Sequence, residues 1–223
     1  IWSEVNKRKI WRKIWLILAQ TQADFGLVTQ DQVADLSDHV EELEIEKALE
    51  IEKNIHHDLM AELKVYSGQC EMGGGIIHMG ATSVDIKDNA TAIQIKSSIE
   101  LLLEKLHRVI HSFIELIREY LDTVTIGYTH LQPAEPVSLG YRFALYAQDL
   151  HEQYQELNRI QMEFRGKGMR GAVGSGASFA ELIGVENLPE FNRILSERMG
   201  IRFYLLTSQT YPRSQEFLLL SCF

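Results

Sequence analysis

Apolar side chains recur at helical spacing over most of the chain. Residues 4–25 set Ile10, Trp11, Ile14, Trp15, Leu18 and Ala19 along one stripe, with Phe25 beyond and Gly26 where a C-cap would sit. Thr29-Gln-Asp-Gln32 has the capping-box pattern and predicts a second helix start. Residues 41–54 intersperse Leu43, Ile45, Leu49 and Ile51 among Glu and Lys, the pattern of a solvated amphipathic helix or helix pair. Leu59, Met60, Leu63 and Val65 continue the apolar pattern. From Ile86 to Leu121 the positions Ile95, Ile99, Leu102, Leu103, Leu106, Val109, Ile110, Phe113, Ile114 and Ile117 hold the period without interruption. A helix of ~35 residues, roughly 50 Å long, exceeds an ordinary compact domain and implies a bundle of long helices.

Pro133 and Pro136 forbid continuation, so 125–136 is expected to be an ordered turn between helices. A second long helix follows over about 137–164, through Leu139, Phe143, Ala147, Leu150, Leu157 and Ile160, and pairs antiparallel with the first. A shorter helix covers about 187–199, closed by Gly200, and the final apolar run reads as an interrupted helix. No strand pattern of comparable strength stands out. The expected fold class is all-α, with a small N-terminal helical domain over 1–85 and a central long-helix bundle domain over 86–223.

Composition narrows the function classes. The chain has 223 residues, 45% hydrophobic and 24% charged, enough for a sizeable core. Its formal net charge of −9, without a block of Lys or Arg, argues against nucleic acid as a partner. Cys70 and Cys222 have neither metal nor redox spacing and are expected to be free thiols in a reduced, cytoplasmic setting. The apolar run Ile14–Ala19 is too short to span a membrane and lacks a signal-peptide cleavage pattern. A first residue of Ile1 rather than Met points to missing upstream residues or to processing.

Three stretches carry candidate chemistry. Ile77–Asp88, reading IHMGATSVDIKD, packs small residues, hydroxyls and acids where the long helix begins. Helix starts present unpaired N–H groups that suit a carboxylate or phosphate, while Thr82, Ser83 and Asp85 are equally suited to capping. His56, His57 and Asp58 are adjacent, so the two imidazoles point to different helix faces and do not make the i, i+4 pair a metal helix wants. His57 as a donor to an anion competes with a plain surface histidine pair. The segment 165–178, RGKGMRGAVGSGAS, contains GxGxxG from Gly166 to Gly171, but after a helix rather than a strand, which excludes the dinucleotide reading. Its lysine is not followed by Ser or Thr, which excludes a P-loop; a substrate-lining loop and a plain hinge both remain.

His56-His57-Asp58, Gly80-Ala-Thr-Ser-Val-Asp85 and Thr129-His-Leu-Gln-Pro133, in that order between long helices, together resemble the fumarase/aspartase superfamily. Within it, IIHMGATS (76–83), RGKGMRGAVGSGASF (165–179) and Ser208-Gln-Thr-Tyr211 favour the branch acting on succinylated purine nucleotides. The resemblance covers nearly the whole chain. It implies β-elimination of fumarate from adenylosuccinate, giving AMP, and from the succinylated aminoimidazole carboxamide ribotide of purine biosynthesis. No cofactor and no metal is implied.

By the same resemblance His130 is the general acid that protonates the leaving nitrogen, a role suited to a group titrating near neutrality. Thr129 holds substrate beside it, and Thr82 and Ser83 bind the succinyl carboxylates. His57, with Asp58, is a second catalytic candidate that either binds phosphate or assists His130. His56 stands where many relatives carry Arg, turning a permanent charge into one that titrates. Gln209 is a substrate contact reaching the succinyl portion, and Lys167, Arg170 and Ser175 are weaker candidates.

The family's Gly-Ser-Ser-x-Met-Pro-x-Lys serine loop is not found, so the chain is expected to be a lyase truncated at its C-terminal end and inactive alone. Relatives are homotetramers that build each active site from three subunits. Two other readings stay open: a lyase for another succinyl adduct such as argininosuccinate, and a non-catalytic helical oligomerisation module.

Overall fold

A computed structural model describes residues 1–222 and shows a predominantly helical chain, as expected. Packing groups it into two compact units: residues 1–95 with 164–213, and residues 96–163 with those from 214 on. A division at 85/86 follows chain order; this grouping follows contacts, which return the glycine-rich segment to the first unit.

In the first unit, α1 (Glu4–Asp24) starts at Ser3, whose Oγ accepts from the Asn6 N–H. It buries Trp11, Ile14, Trp15 and Leu18, and on the same face Arg8 and Arg12. Both guanidinium groups donate to Glu62 of α4 (Asp58–Gln69), from Arg8 Nη1 at 3.0 Å and Arg12 Nε at 2.6 Å, with all three side chains 0% exposed. Charges this deep are held only in such mutual pairing. The capping box at Thr29 is present: the Gln32 N–H donates to Thr29 Oγ1 and the Thr29 N–H to Gln32 Oε1, opening α2 (Gln30–His39). The charge-rich segment becomes α3 (Ile45–Ile55).

The long helix is α5 (Ser83–Glu119), whose first turns bury Ile86, Ala90 and Ala92 alongside Asp85, Asp88 and Asn89. The returning segment forms β3 (Arg165–Gly166), α7 (Ala177–Ile183), a short 3-10 turn (Val185–Asn187), α8 (Leu188–Met199) and β4 (Arg202–Phe203), and β3 pairs with β4 in parallel. Gly166 has no room for a side chain, since a Cβ there would stand 2.4 Å from Asn89 Oδ1.

The second unit corrects the sequence reading of 125–136. This segment is not a turn alone but part of an antiparallel hairpin, β1 (Val124–Thr129) and β2 (Gln132–Ser138). The prolines masked it, yet in a two-stranded sheet each strand has an open edge, and a proline N without hydrogen is tolerated there. Val124, Ile126 and Tyr128 supply strand-forming side chains, and the register shifts at Gly127. Helix α6 (Leu139–Glu163) runs antiparallel to the second-unit part of α5, as expected: rings meet at His107–Tyr154, Phe113–Phe143 and Tyr120–Phe143. The last element is α9 (Ser214–Leu220). Among the described residues no helix is long and apolar enough to cross a membrane.

Candidate functional site

The adjacent histidines separate two helices rather than starting one. His56 closes α3 in the left-handed region at φ 53°, and His57 is the N-cap of α4. The Met60 N–H donates to His57 Nδ1 at 3.2 Å, which makes Nδ1 an acceptor and leaves the proton of the neutral ring on Nε2. That Nε2–H lies 3.3 Å from Ser83 Oγ, at the first residue of α5. One ring thus caps one helix and faces the start of another.

At the α5 start, the Thr82 N–H donates to Asp85 Oδ2 at 2.9 Å. Asp85 also accepts from Lys167 Nζ at 2.5 Å and from the N–H groups of Arg170 and Gly171. Lys167 gives a further hydrogen bond to the Gly171 carbonyl and is fully buried. It therefore anchors the glycine loop, and its ammonium does not reach a ligand. Asn89 completes the anchor, with its amide donating to the Gly168 carbonyl and its Oδ1 accepting the Gly168 N–H. Asp88 accepts from the Tyr211 N–H at 3.0 Å and from Arg213 Nη2 at 2.8 Å, which holds 209–213 against α5.

These tethers shape a cleft of about 530 Å³ lined by His56, His57, Asp58, Thr82, Ser83, Val84, Lys87, Asp88, Gln209, Thr210 and Arg213. Six residues expected from the sequence (His56, His57, Asp58, Thr82, Ser83 and Gln209) meet there. Lys87, Asp88 and Arg213 were not expected. Lys87 sits four residues after Ser83 on the same helix face, a signal the sequence did contain. Its Nζ lies 3.0 and 2.8 Å from the two oxygens of Asp58. Burial would raise the Asp58 pKa; Lys87 and the Leu59 N–H outweigh it and hold the carboxyl below its usual range. Trp15 Nε1–H donates to His78 Nδ1 at 3.0 Å, and burial pushes the His78 pKa down.

Thr129 and His130 belong to the second unit, where they sit at the hairpin end. Thr129 pairs with Gln132, and the two residues between them, His130 and Leu131, both have positive φ, at 48° and 64°. Such a turn ordinarily takes Asn-Gly, so His-Leu there is strained. His130 is exposed.

A protein-family model described as lyase matches residues 2–216. The chain belongs to the lyase family. Among curated members, the adenylosuccinate lyases of Schistosoma mansoni and Saccharomyces cerevisiae are each 34% identical to it over 215 residues, spanning 93% of this chain and 45% of theirs. The adenylosuccinate lyase of Pyrococcus abyssi is 32% identical over 96% of this chain and 47% of its own length. This lyase chain therefore spans about half the length of the curated relatives it matches. Among solved structures, a fumarate lyase from Mesorhizobium sp. BNC1 superposes with a TM-score of 0.83 at 25% identity, covering 92% of this chain and 48% of that one. A 3-carboxy-cis,cis-muconate lactonizing enzyme from Pseudomonas putida shares the fold, with a TM-score of 0.87 at 20% identity over 100% of this chain and 51% of its own.

Proposed function

We propose that the intact lyase eliminates fumarate from adenylosuccinate, leaving AMP, and from the succinylated aminoimidazole carboxamide ribotide of purine biosynthesis. The observation that carries this reading is the meeting of His57 Nε2–H with Ser83 at the start of α5, beside Thr82 and Gln209 in one cleft. Curated relatives of that activity match almost the whole chain.

In the proposed mechanism, a base takes the proton from Cβ of the succinyl group. Its electron pair forms the new C=C bond, the C–N bond breaks, and His130 gives its proton to the departing nitrogen. Charge building on the carboxylate beside Cβ is met by the Thr82 and Ser83 hydroxyls and the positive N-terminal end of α5. His57, uncharged with Nε2–H forward, orients Ser83. Gln209 contacts the succinyl part, and His56 faces the phosphate side. Thr129 positions substrate next to His130.

The protein acts as a cytoplasmic homotetramer in this reading, and His130 on its exposed hairpin end serves a cleft assembled with neighbouring copies. Support comes from the second unit's exposed apolar side chains, among them Leu101, Leu121, Tyr141 and Leu145. The test is turnover of adenylosuccinate by the full-length protein, followed by nucleotide absorbance. Fumarate release supports the reading, and no turnover of either purine substrate overturns it.

A further inference from the structure

Asp35 and His39 stand one helical turn apart on α2, and Cys70 closes α4 beside them. His39 Nδ1 lies 2.9 Å from the Asp35 backbone oxygen and 3.6 Å from Asp35 Oδ1, while Cys70 Sγ lies 3.9 Å from the same backbone oxygen. One carboxylate oxygen, one imidazole nitrogen and one sulfur fall within 4.8 Å of one another. We propose that Asp35, His39 and Cys70 bind a thiophilic divalent cation of the Zn²⁺ and Co²⁺ class, which ties the end of α2 to the end of α4 and shares no residue with the cleft.

Three features carry the assignment. Ligand atoms around a tetrahedral zinc stand about 3.3–3.8 Å apart, so closure needs a contraction of about 1 Å. The Asp35 carboxylate is already oriented, because Oδ2 accepts from the N–H groups of Met72 at 2.8 Å and Gly73 at 2.7 Å, leaving Oδ1 as the oxygen near His39. The donor set of one carboxylate, one thiolate and one neutral imidazole cancels the charge of the ion. The guanidinium of Arg12 is nearby, but it donates to Glu62, whose carboxylate offsets it, and to the carbonyls of His39 and Glu42. His39 gives access from solvent, while Cys70 is buried.

Binding replaces protons rather than electrons. Without an ion the Cys70 thiol keeps its proton, since burial pushes its pKa up to about 11. The incoming cation takes the thiolate, the thiol proton leaves to solvent, and the imidazole proton moves from Nδ1 to Nε2.

The test is Co²⁺ titration of the tag-free intact protein with Cys222 replaced by Ser. One Co²⁺ per chain, with thiolate-to-cobalt charge-transfer absorption and a raised Tm, is the expected result. Both signals should vanish in Cys70→Ser and in His39→Gln. The second variant changes a solvent-reaching side chain on the surface of α2, and circular dichroism reports whether it folds. No charge-transfer band, or a band that survives in either folded variant, overturns the proposal.

Discussion

The ammonium of Lys87 lies 2.8 and 3.0 Å from the two oxygens of Asp58, whereas the closest approach of His57 Nδ1 to that carboxylate is 3.8 Å. Asp58 is therefore paired across 29 residues with a lysine of α5, and not with the histidine next to it in sequence. Since Nδ1 is occupied by the Met60 N–H, His57 faces the cleft as a neutral donor.

Lys87→Met should cost about 0.5–1 kcal/mol at neutral pH, the range for a partly exposed pair. The sign with pH follows from the lowered Asp58 pKa. Stability from this carboxylate is present above its unfolded pKa of about 3.9 and is lost as pH falls through its folded value. Urea denaturation should thus separate parent and variant at pH 7 and bring them together in acid. An unchanged gap in acid contradicts the pairing.

Lys167→Met should be far more costly, about 3–5 kcal/mol, because it strips a fully buried carboxylate of its ion partner. The Arg170 and Gly171 N–H groups remain on Asp85, so the chain should still fold. Limited proteolysis should then cut within 165–178 faster than in the parent. Equal stability and equal cleavage would show that the lysine is not the anchor.

The hairpin end separates strain from function. Leu131 is 92% exposed with φ 64°, a conformation that disfavours a side chain by about 1–2 kcal/mol. Leu131→Gly should stabilise by about 0.5–1 kcal/mol, once the added freedom of the unfolded glycine is set against that relief. His130→Asn keeps a residue that tolerates this turn, so its stability should hold, while turnover by the intact enzyme falls by about 100-fold or more. Thermal melts and steady-state rates on the two variants check both halves.

His78 should make stability fall on mild acidification. Its folded pKa is lowered, first by burial, against an unfolded value near 6.5. Below about pH 6.5 the unfolded chain binds a proton that the folded ring refuses, so stability drops until the folded pKa is passed. His78→Asn suits the φ of 71° and should flatten the slope of unfolding free energy between pH 7 and pH 5. A slope equal to the parent's would exclude His78 as the source.

Helix placement was legible because periodicity is local. The stripe of α1, the capping box of α2, the span of α5 and the antiparallel α5–α6 pair all follow from residues within a few turns of one another. The hairpin was less legible, since its two prolines speak against strands unless one knows that both strands are edges. Six of the eight expected site residues share the cleft, and Thr129 and His130 lie on the second unit. Lys167, a weaker candidate for substrate contact by sequence, is fully buried against Asp85, and nothing in the glycines around it signals that burial.

By itself, the sequence determined where helices start, how long they run and which residue types stand at the head of α5, because caps and apolar spacing act over three or four residues. Only the tertiary structure decided the partners. Ser83 meets His57 across 26 residues, Lys167 meets Asp85 across 82, and Arg213 meets Asp88 across 125. Such pairings depend on which surfaces pack together, and no local spacing encodes them.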